Sequence, residues 1–235
     1  LQALQPHVYE LLSKELDDTE VDRYLIKPIS TITVVALLVI GCAMVGLPDI
    51  IAAFLPEYLS GIPILNVLLL ANLVGCMYWV PGIVTSAARF NAQLFYLVSW
   101  CIAIAISLCV AVLMLRMDHG IMSLAAAYLV SQIILLALTF ARLWHYLFPT
   151  AGAFLSLLKE LIVPAINVAI AVAGISLVGS KVPLEIAGAS GHLVAAAGKV
   201  LVFVLLSIPT VIIVERKTGI YAGHIRSMLS KIAPN

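Results

Sequence analysis

Long apolar runs dominate the chain, and its few charged residues fall between them. Counted from one charge to the next, the main runs hold 21, 31, 26, 23, 20 and 29 residues, the last of them containing Lys199. A bilayer-spanning helix needs about 20 apolar residues, and these runs are apolar on every side, unlike the alternating strands of a membrane barrel. They predict six transmembrane helices, at residues 31–55, 62–88, 91–115, 120–141, 154–178 and 191–214.

The composition excludes most soluble classes of protein. Of the 235 residues, 63% are hydrophobic and 11% are charged, and the mean hydropathy is +1.14. An ordinary soluble domain has roughly 45–50% apolar and about 25% charged residues. A soluble enzyme, a nucleic-acid-binding protein and a disordered tail are therefore excluded, and the predicted fold class is an all-α polytopic membrane helix bundle.

Three regions follow one another along the chain. Residues 1–30 form an acidic, amphipathic lead-in, residues 31–215 form the six-helix bundle, and residues 216–235 form a basic tail. Basic residues between apolar ones suit the tail to an anionic lipid surface. Because the chain begins with Leu1 and no initiator methionine, we expect it to be a piece of a longer protein.

The lysines and arginines orient the bundle. Cytoplasmic loops of membrane proteins carry an excess of these residues. With six spans both ends of the chain share one side, where ten of the 13 basic residues fall, leaving Arg116, Lys181 and Lys199 for the other. We expect both termini to be cytoplasmic.

Small residues recur at helical spacing and predict which faces meet other helices, since helix backbones in lipid approach closely only over such residues. The third span has Ser99, Ala103, Ser107 and Ala111, the fifth has Ala165, Ala169 and Ala173, and the second has Asn72, Gly75, Trp79, Gly82 and Ser86. These faces indicate a packed bundle with faces turned to protein or water.

Proline interrupts four of the predicted spans, at Pro48, Pro81, Pro164 and Pro209. Each proline removes a backbone hydrogen bond and bends its helix. Bent helices serve as hinges or line cavities in transporters, and the alternative at each position is a static packing kink.

Four polar residues inside the runs are candidates for lining a substrate cavity: Lys199, Asn72, Gln132 and Asn167. The amides have an alternative role in hydrogen bonds between helices. Lys199 is interpreted as the charged residue well inside an apolar run, about two turns from the outer face, and an unpaired cation there is costly. It either lines an anion-accepting cavity or snorkels its ammonium to the lipid phosphates.

The sequence offers no catalytic constellation. It contains no HExxH or GxSxG motif, and Asp49 and Glu160 are interpreted as lying near the ends of different spans. No histidine has a partner at metal-ligand spacing, and the four cysteines fall inside spans without a CxxC pair. We therefore predict no catalytic residue, no metal site and no cofactor.

Four segments carry a resemblance to a known family. They are residues 54–65 (FLPEYLSGIPIL), 87–91 (AARFN), 118–121 (DHGI) with the alanines at 125–127, and 157–159 (LLK), together with Lys199 ahead of an apolar run. These segments resemble an outer loop, a tight cytoplasmic turn and helix starts of the bacterial polysaccharide flippases. Those proteins are the O-antigen and exopolysaccharide translocases of the multidrug/oligosaccharidyl-lipid/polysaccharide exporter superfamily.

The resemblance implies that the chain is the carboxy-terminal lobe of a two-lobed transporter in the bacterial inner membrane. The implied function is non-enzymatic flipping of an undecaprenyl-pyrophosphate-linked oligosaccharide to the periplasmic leaflet by rocking of the lobes. The implied partners are the lipid-linked oligosaccharide, membrane lipids and a missing amino-terminal lobe, with no nucleic acid. Two alternatives stay open: a multidrug/cation antiporter of the same superfamily, and a non-transport membrane protein of cell-envelope glycan biosynthesis.

Overall fold

The computed structural model describes residues 27–86, 93–147, 163–175 and 189–218, with side chains over 30–78, 94–142, 144, 163–175 and 190–212. Every regular element in these residues is helical. The helices are α1 (Lys27–Phe54), α2 (Ile62–Ser86), α3 (Gln93–Arg116), α4 (Met122–Leu147), α5 (Val163–Ile175) and α6 (Ala189–Thr218), with a short 3-10 helix over Pro56–Gly61. All but α5 are long and apolar enough to cross a membrane, which confirms the predicted all-α polytopic membrane bundle.

The terminal helices extend slightly beyond the predicted bundle. Helix α1 begins at Lys27 rather than at residue 31, and α6 continues to Thr218 rather than ending at residue 214. The rest of the predicted lead-in and tail lies outside the described residues, as do the two ends of the predicted fifth span.

The helices pack in a definite order. Helix α4 lies against both α2 and α3, while α1 lies against both α6 and α2. Helix α5 joins the α1 and α6 side through one apolar cluster, whose buried members are Leu37, Val45, Val168, Ala171, Ile175 and Phe203. The bundle thus has two packed halves, α6–α1–α5 and α2–α4–α3, which meet where α1 packs on α2.

An aromatic group holds the second half together. Tyr78 of α2, Ala103 of α3 and Leu135 of α4 are buried against one another. The Tyr78 ring stacks on Tyr96 with 6.5 Å between centroids, and Trp100 meets it edge-on at 6.4 Å. Such offset and edge-to-face arrangements are the favoured geometries of aromatic pairs.

Three contacts fix the direction of α6 relative to α1. The pairs in contact are Gly41 with Phe203, Gly46 with Val200, and Asp49 with Lys199. Residue numbers rise along α1 while they fall along α6, so the two helices run antiparallel. Successive crossings alternate in direction. With only α2, α3 and α4 between them, α1 and α6 would be parallel, so the chain must cross once more between α4 and α6. The described part of α5, which is 13 residues long, lies in the stretch of chain where this crossing has to be made.

One of the predicted small-residue faces is confirmed in α3. Ser99, Ala103 and Ala111 are buried, Ser107 is half-buried, and α4 packs against this helix. The side-chain volume is small here, so the two backbones come close.

The small-residue face predicted for α5 is confirmed at only one of its three positions. Ala165 packs against the apolar cluster, whereas Ala169 and Ala173 are exposed. The buried residues beside α1 and α6 are Val168, Ala171 and Ile175. The crevice between those two helices is filled by branched side chains, because small residues permit close approach of a helix without requiring it.

Candidate functional site

An ion pair joins α1 to α6 inside the apolar part of the bundle. The Lys199 ammonium donates hydrogen bonds to both carboxylate oxygens of Asp49, with Nζ–Oδ2 2.7 Å and Nζ–Oδ1 3.0 Å. Only 23% of the Lys199 side chain and 11% of the Asp49 side chain are exposed. Both charges are therefore largely removed from solvent, and each has the other as its partner.

The pair lies well within both membrane-spanning segments. Asp49 precedes the end of the Ser30–Phe54 span by five residues, and Lys199 follows the start of the Ser190–Ile212 span by nine. At 1.5 Å per residue these offsets are about 8 Å and about 14 Å along the helices, inside a hydrocarbon core that is about 30 Å thick. Both offsets are counted from the same side of the bundle, because the antiparallel packing places the end of α1 beside the start of α6.

The neighbouring contacts, which we call the α1–α6 seam, explain how the pair is placed. The Phe203 ring is fully buried against Gly41, where an added β-carbon would overlap the ring, and a β-carbon at Gly46 would lie 2.9 Å from Val200 Cγ2. The glycines let the backbones approach closely. The close approach sets the distance at which the short Asp49 side chain meets the long Lys199 side chain.

Pro48 precedes Asp49 in α1 and affects the helix at the site. A proline has no N–H to donate to the carbonyl four residues earlier, here that of Met44. Helix α1 nevertheless continues through Pro48 to Phe54. The end of α1 from Pro48 onward, which includes Asp49, is therefore attached to the rest of the helix by one hydrogen bond fewer.

This pairing adds a partner for Lys199 that was not predicted from the sequence. Asp49 was placed inside the predicted span 31–55, near its end, and it is one of the buried residues within α1. A carboxylate inside a span is tolerated when it is paired. A usable signal was present, since the apolar residues 50–55 continue the run beyond Asp49 and a charge inside a span requires a partner.

The three amide candidates lie elsewhere. Gln132 is buried between α4 and α2, with its Oε1 3.2 Å from where a β-carbon on Gly75 would lie. Asn72 is exposed and donates to the carbonyl of Leu68 in its own helix at 2.8 Å. Asn167 is exposed on α5. The four predicted cavity residues are thus distributed over separate helix faces, and the site consists of Lys199 with the unforeseen Asp49.

The proline candidates have different surroundings. Pro48 and Pro209 lie inside α1 and α6, the two helices that carry the ion pair. Pro164 is buried at the second described residue of α5. Pro81 lies within the bounds of α2, but its side chain, like those of Trp79 and Ser86, is outside the described residues.

The fold and the site together define a polytopic membrane helix bundle that holds a charged pair within its apolar thickness. No protein-family model, no curated protein and no solved structure matches the chain.

Proposed function

We propose that the chain is one lobe of a flippase that moves an undecaprenyl-pyrophosphate-linked oligosaccharide across the bacterial inner membrane. The observation that carries the proposal is the Asp49–Lys199 pair, which places a cation in the apolar part of the bundle with no more than a quarter of its side chain exposed. A pyrophosphate headgroup cannot cross about 30 Å of hydrocarbon without compensating charge. Lys199 supplies that charge, in agreement with the resemblance of the sequence to the polysaccharide flippases.

The orientation follows from the same proposal. With both termini in the cytoplasm, as the basic residues indicate, the end of α1 and the start of α6 face the periplasm. The ion pair then lies in the outer half of the membrane, where the headgroup leaves the protein. An amino-terminal lobe would close the other side of the path, and rocking of the two lobes would alternate access.

A second candidate is a multidrug/cation antiporter of the same superfamily. Asp49 favours it, because a buried carboxylate is the kind of group that binds a cationic substrate or a coupling ion inside a membrane. The two candidates differ in the residue that meets the substrate: Lys199 for an anionic headgroup and Asp49 for a cation.

The experiment replaces both charges at once, because Lys199→Ala alone would leave Asp49 unpaired and confound stability with transport. The double variant Asp49→Leu/Lys199→Met is expressed in cells that lack the native gene. We expect lipid-linked glycan to accumulate on the cytoplasmic leaflet and surface polysaccharide to be lost. Lys199→Arg, which keeps the charge but presents a planar fork, should retain part of the transport.

Gly198→Ala is the matched control, since it changes the residue next to Lys199 where an added β-carbon meets nothing within 4 Å. It should leave transport unchanged. Normal surface polysaccharide in the double variant, at the same protein level as the control, would contradict the proposal. Resistance to cationic drugs that depends on Asp49 would favour the antiporter instead.

A further inference from the structure

We propose that Asp49 is a specificity-determining residue that reserves Lys199 for anions with at least two charges and excludes singly charged phosphates. This inference rests on the proposed function, because it assumes that Lys199 receives the anionic headgroup. It assigns a role to the carboxylate that accepts hydrogen bonds from Lys199 at 2.7 and 3.0 Å.

The need for such a residue arises from the membrane itself. Common anionic lipid headgroups are phosphodiesters with a single negative charge, and they are present at high density beside every transmembrane cation. An unpaired lysine near the outer leaflet would bind them by snorkelling. Lys199 is instead held by a carboxylate within the bundle, and only 23% of its side chain is exposed.

Electrostatics determines how many charges an anion needs in order to displace Asp49 from Lys199. A singly charged phosphate that displaced Asp49 would replace one charge-assisted contact with a similar one and would leave the carboxylate unpaired in an apolar seam. The remaining carboxylate would also repel the incoming anion. A diphosphate carries at least one further charge and more acceptor oxygens, so its attraction to Lys199 exceeds what the lost Asp49 contact supplied.

The seam is packed unevenly along α1. Gly41 and Phe203 are in close contact at the far end from the pair, so the seam stays closed there. Asp49 directly follows Pro48, and the hydrogen bond missing between Pro48 and the Met44 carbonyl weakens the stretch of α1 that contains Gly46. The part of α1 from Gly46 onward swings away from α6 when the anion takes Lys199, and it returns when the anion leaves.

The first test measures anion binding by calorimetry, with the protein in phosphatidylcholine nanodiscs. The probes are pyrophosphate and dimethyl phosphate, which is a singly charged phosphodiester. The native protein should bind pyrophosphate at least about tenfold more tightly than dimethyl phosphate. Asp49→Asn, which keeps the shape and loses the charge, should bind dimethyl phosphate more tightly. The difference in affinity between pyrophosphate and dimethyl phosphate should therefore become smaller. Asp49→Glu keeps the charge and should keep the preference.

The second test leaves both charged residues in place and therefore does not depend on how well the Asp49 variants fold. Cysteines at Gly46→Cys and Val200→Cys, in a background without the four native cysteines, lie near enough for a disulfide. Pyrophosphate should slow formation of this disulfide, because it opens the seam, and dimethyl phosphate should not.

The outcomes separate the inference from the function on which it rests. The role of Asp49 is overturned if pyrophosphate binding depends on Lys199 but the preference for pyrophosphate over dimethyl phosphate is unchanged in Asp49→Asn. It is also overturned if the two probes affect disulfide formation equally. Either result leaves Lys199 as the anion site. Absence of Lys199-dependent pyrophosphate binding overturns both.

Discussion

The tip of the Phe203 ring in α6 lies against Gly41 of α1, so closely that a β-carbon at position 41 would overlap the ring. The ring is fully buried at this point. In a membrane, where lipid is as apolar as a leucine side chain, such close packing is a main source of attraction between helices. This contact therefore anchors the seam that ends in the Asp49–Lys199 pair.

Replacing Gly41 by alanine should destabilise the protein by about 1–3 kcal/mol, because the new methyl group forces the ring or the helix to shift. The free energy of unfolding in mixed micelles measures the change. Gly198→Ala in α6 is the control, since its β-carbon meets nothing within 4 Å, and it should be neutral or slightly stabilising. Equal stability of the two variants would contradict the packing of this seam.

The Asp49–Lys199 pair should show strong coupling in a double-mutant cycle. Asp49→Leu or Lys199→Met alone leaves an unpaired charge, which we expect to cost about 1–3 kcal/mol. That is below the roughly 3–5 kcal/mol of a fully buried pair, since solvent partly screens this one. The double variant should be close to the native stability, and additive losses in the same unfolding measurement would disprove direct pairing.

The α3–α4 contact can be tested with two neighbouring alanines. Ala103 is fully buried against Tyr78 and Leu135, whereas Ala105 is exposed on the same helix. Ala103→Leu should lower the free energy of unfolding by about 1–3 kcal/mol through overpacking. Ala105→Leu adds the same atoms to the outer face and should leave stability nearly unchanged.

We expect the segment that contains α5 to cross the membrane, and thiol labelling of intact cells tests this after the four native cysteines are replaced. Single cysteines at Arg142 and Lys181, on either side of α5 in the sequence, should react from opposite sides of the membrane. Labelling of both from the same side would mean that α5 does not cross.

The proposed orientation has its own labelling result. A cysteine at the exposed Glu57, in the loop after α1, should react with a membrane-impermeant reagent added outside, and one at Arg142 should not. The reverse pattern would place the termini in the periplasm while keeping the number of crossings.

The apolar pattern alone determined that this is a polytopic helical membrane protein and where its long helices lie. Twenty or so apolar residues can satisfy their backbone in lipid only as a helix, so the length of a run determines its structure locally. The buried face of α3 was also predictable, because Ser99, Ala103 and Ala111 recur at the helical period.

The tertiary structure alone decided which charges meet. Asp49 and Lys199 are 150 residues apart in the sequence. In its own segment, each is simply a charged residue that interrupts an apolar run. Their pairing depends on the antiparallel packing of α1 on α6, which the glycines at 41 and 46 permit. For the same reason the buried face of α5 could not be predicted, since it depends on the shape of the crevice left by two other helices rather than on its own small residues.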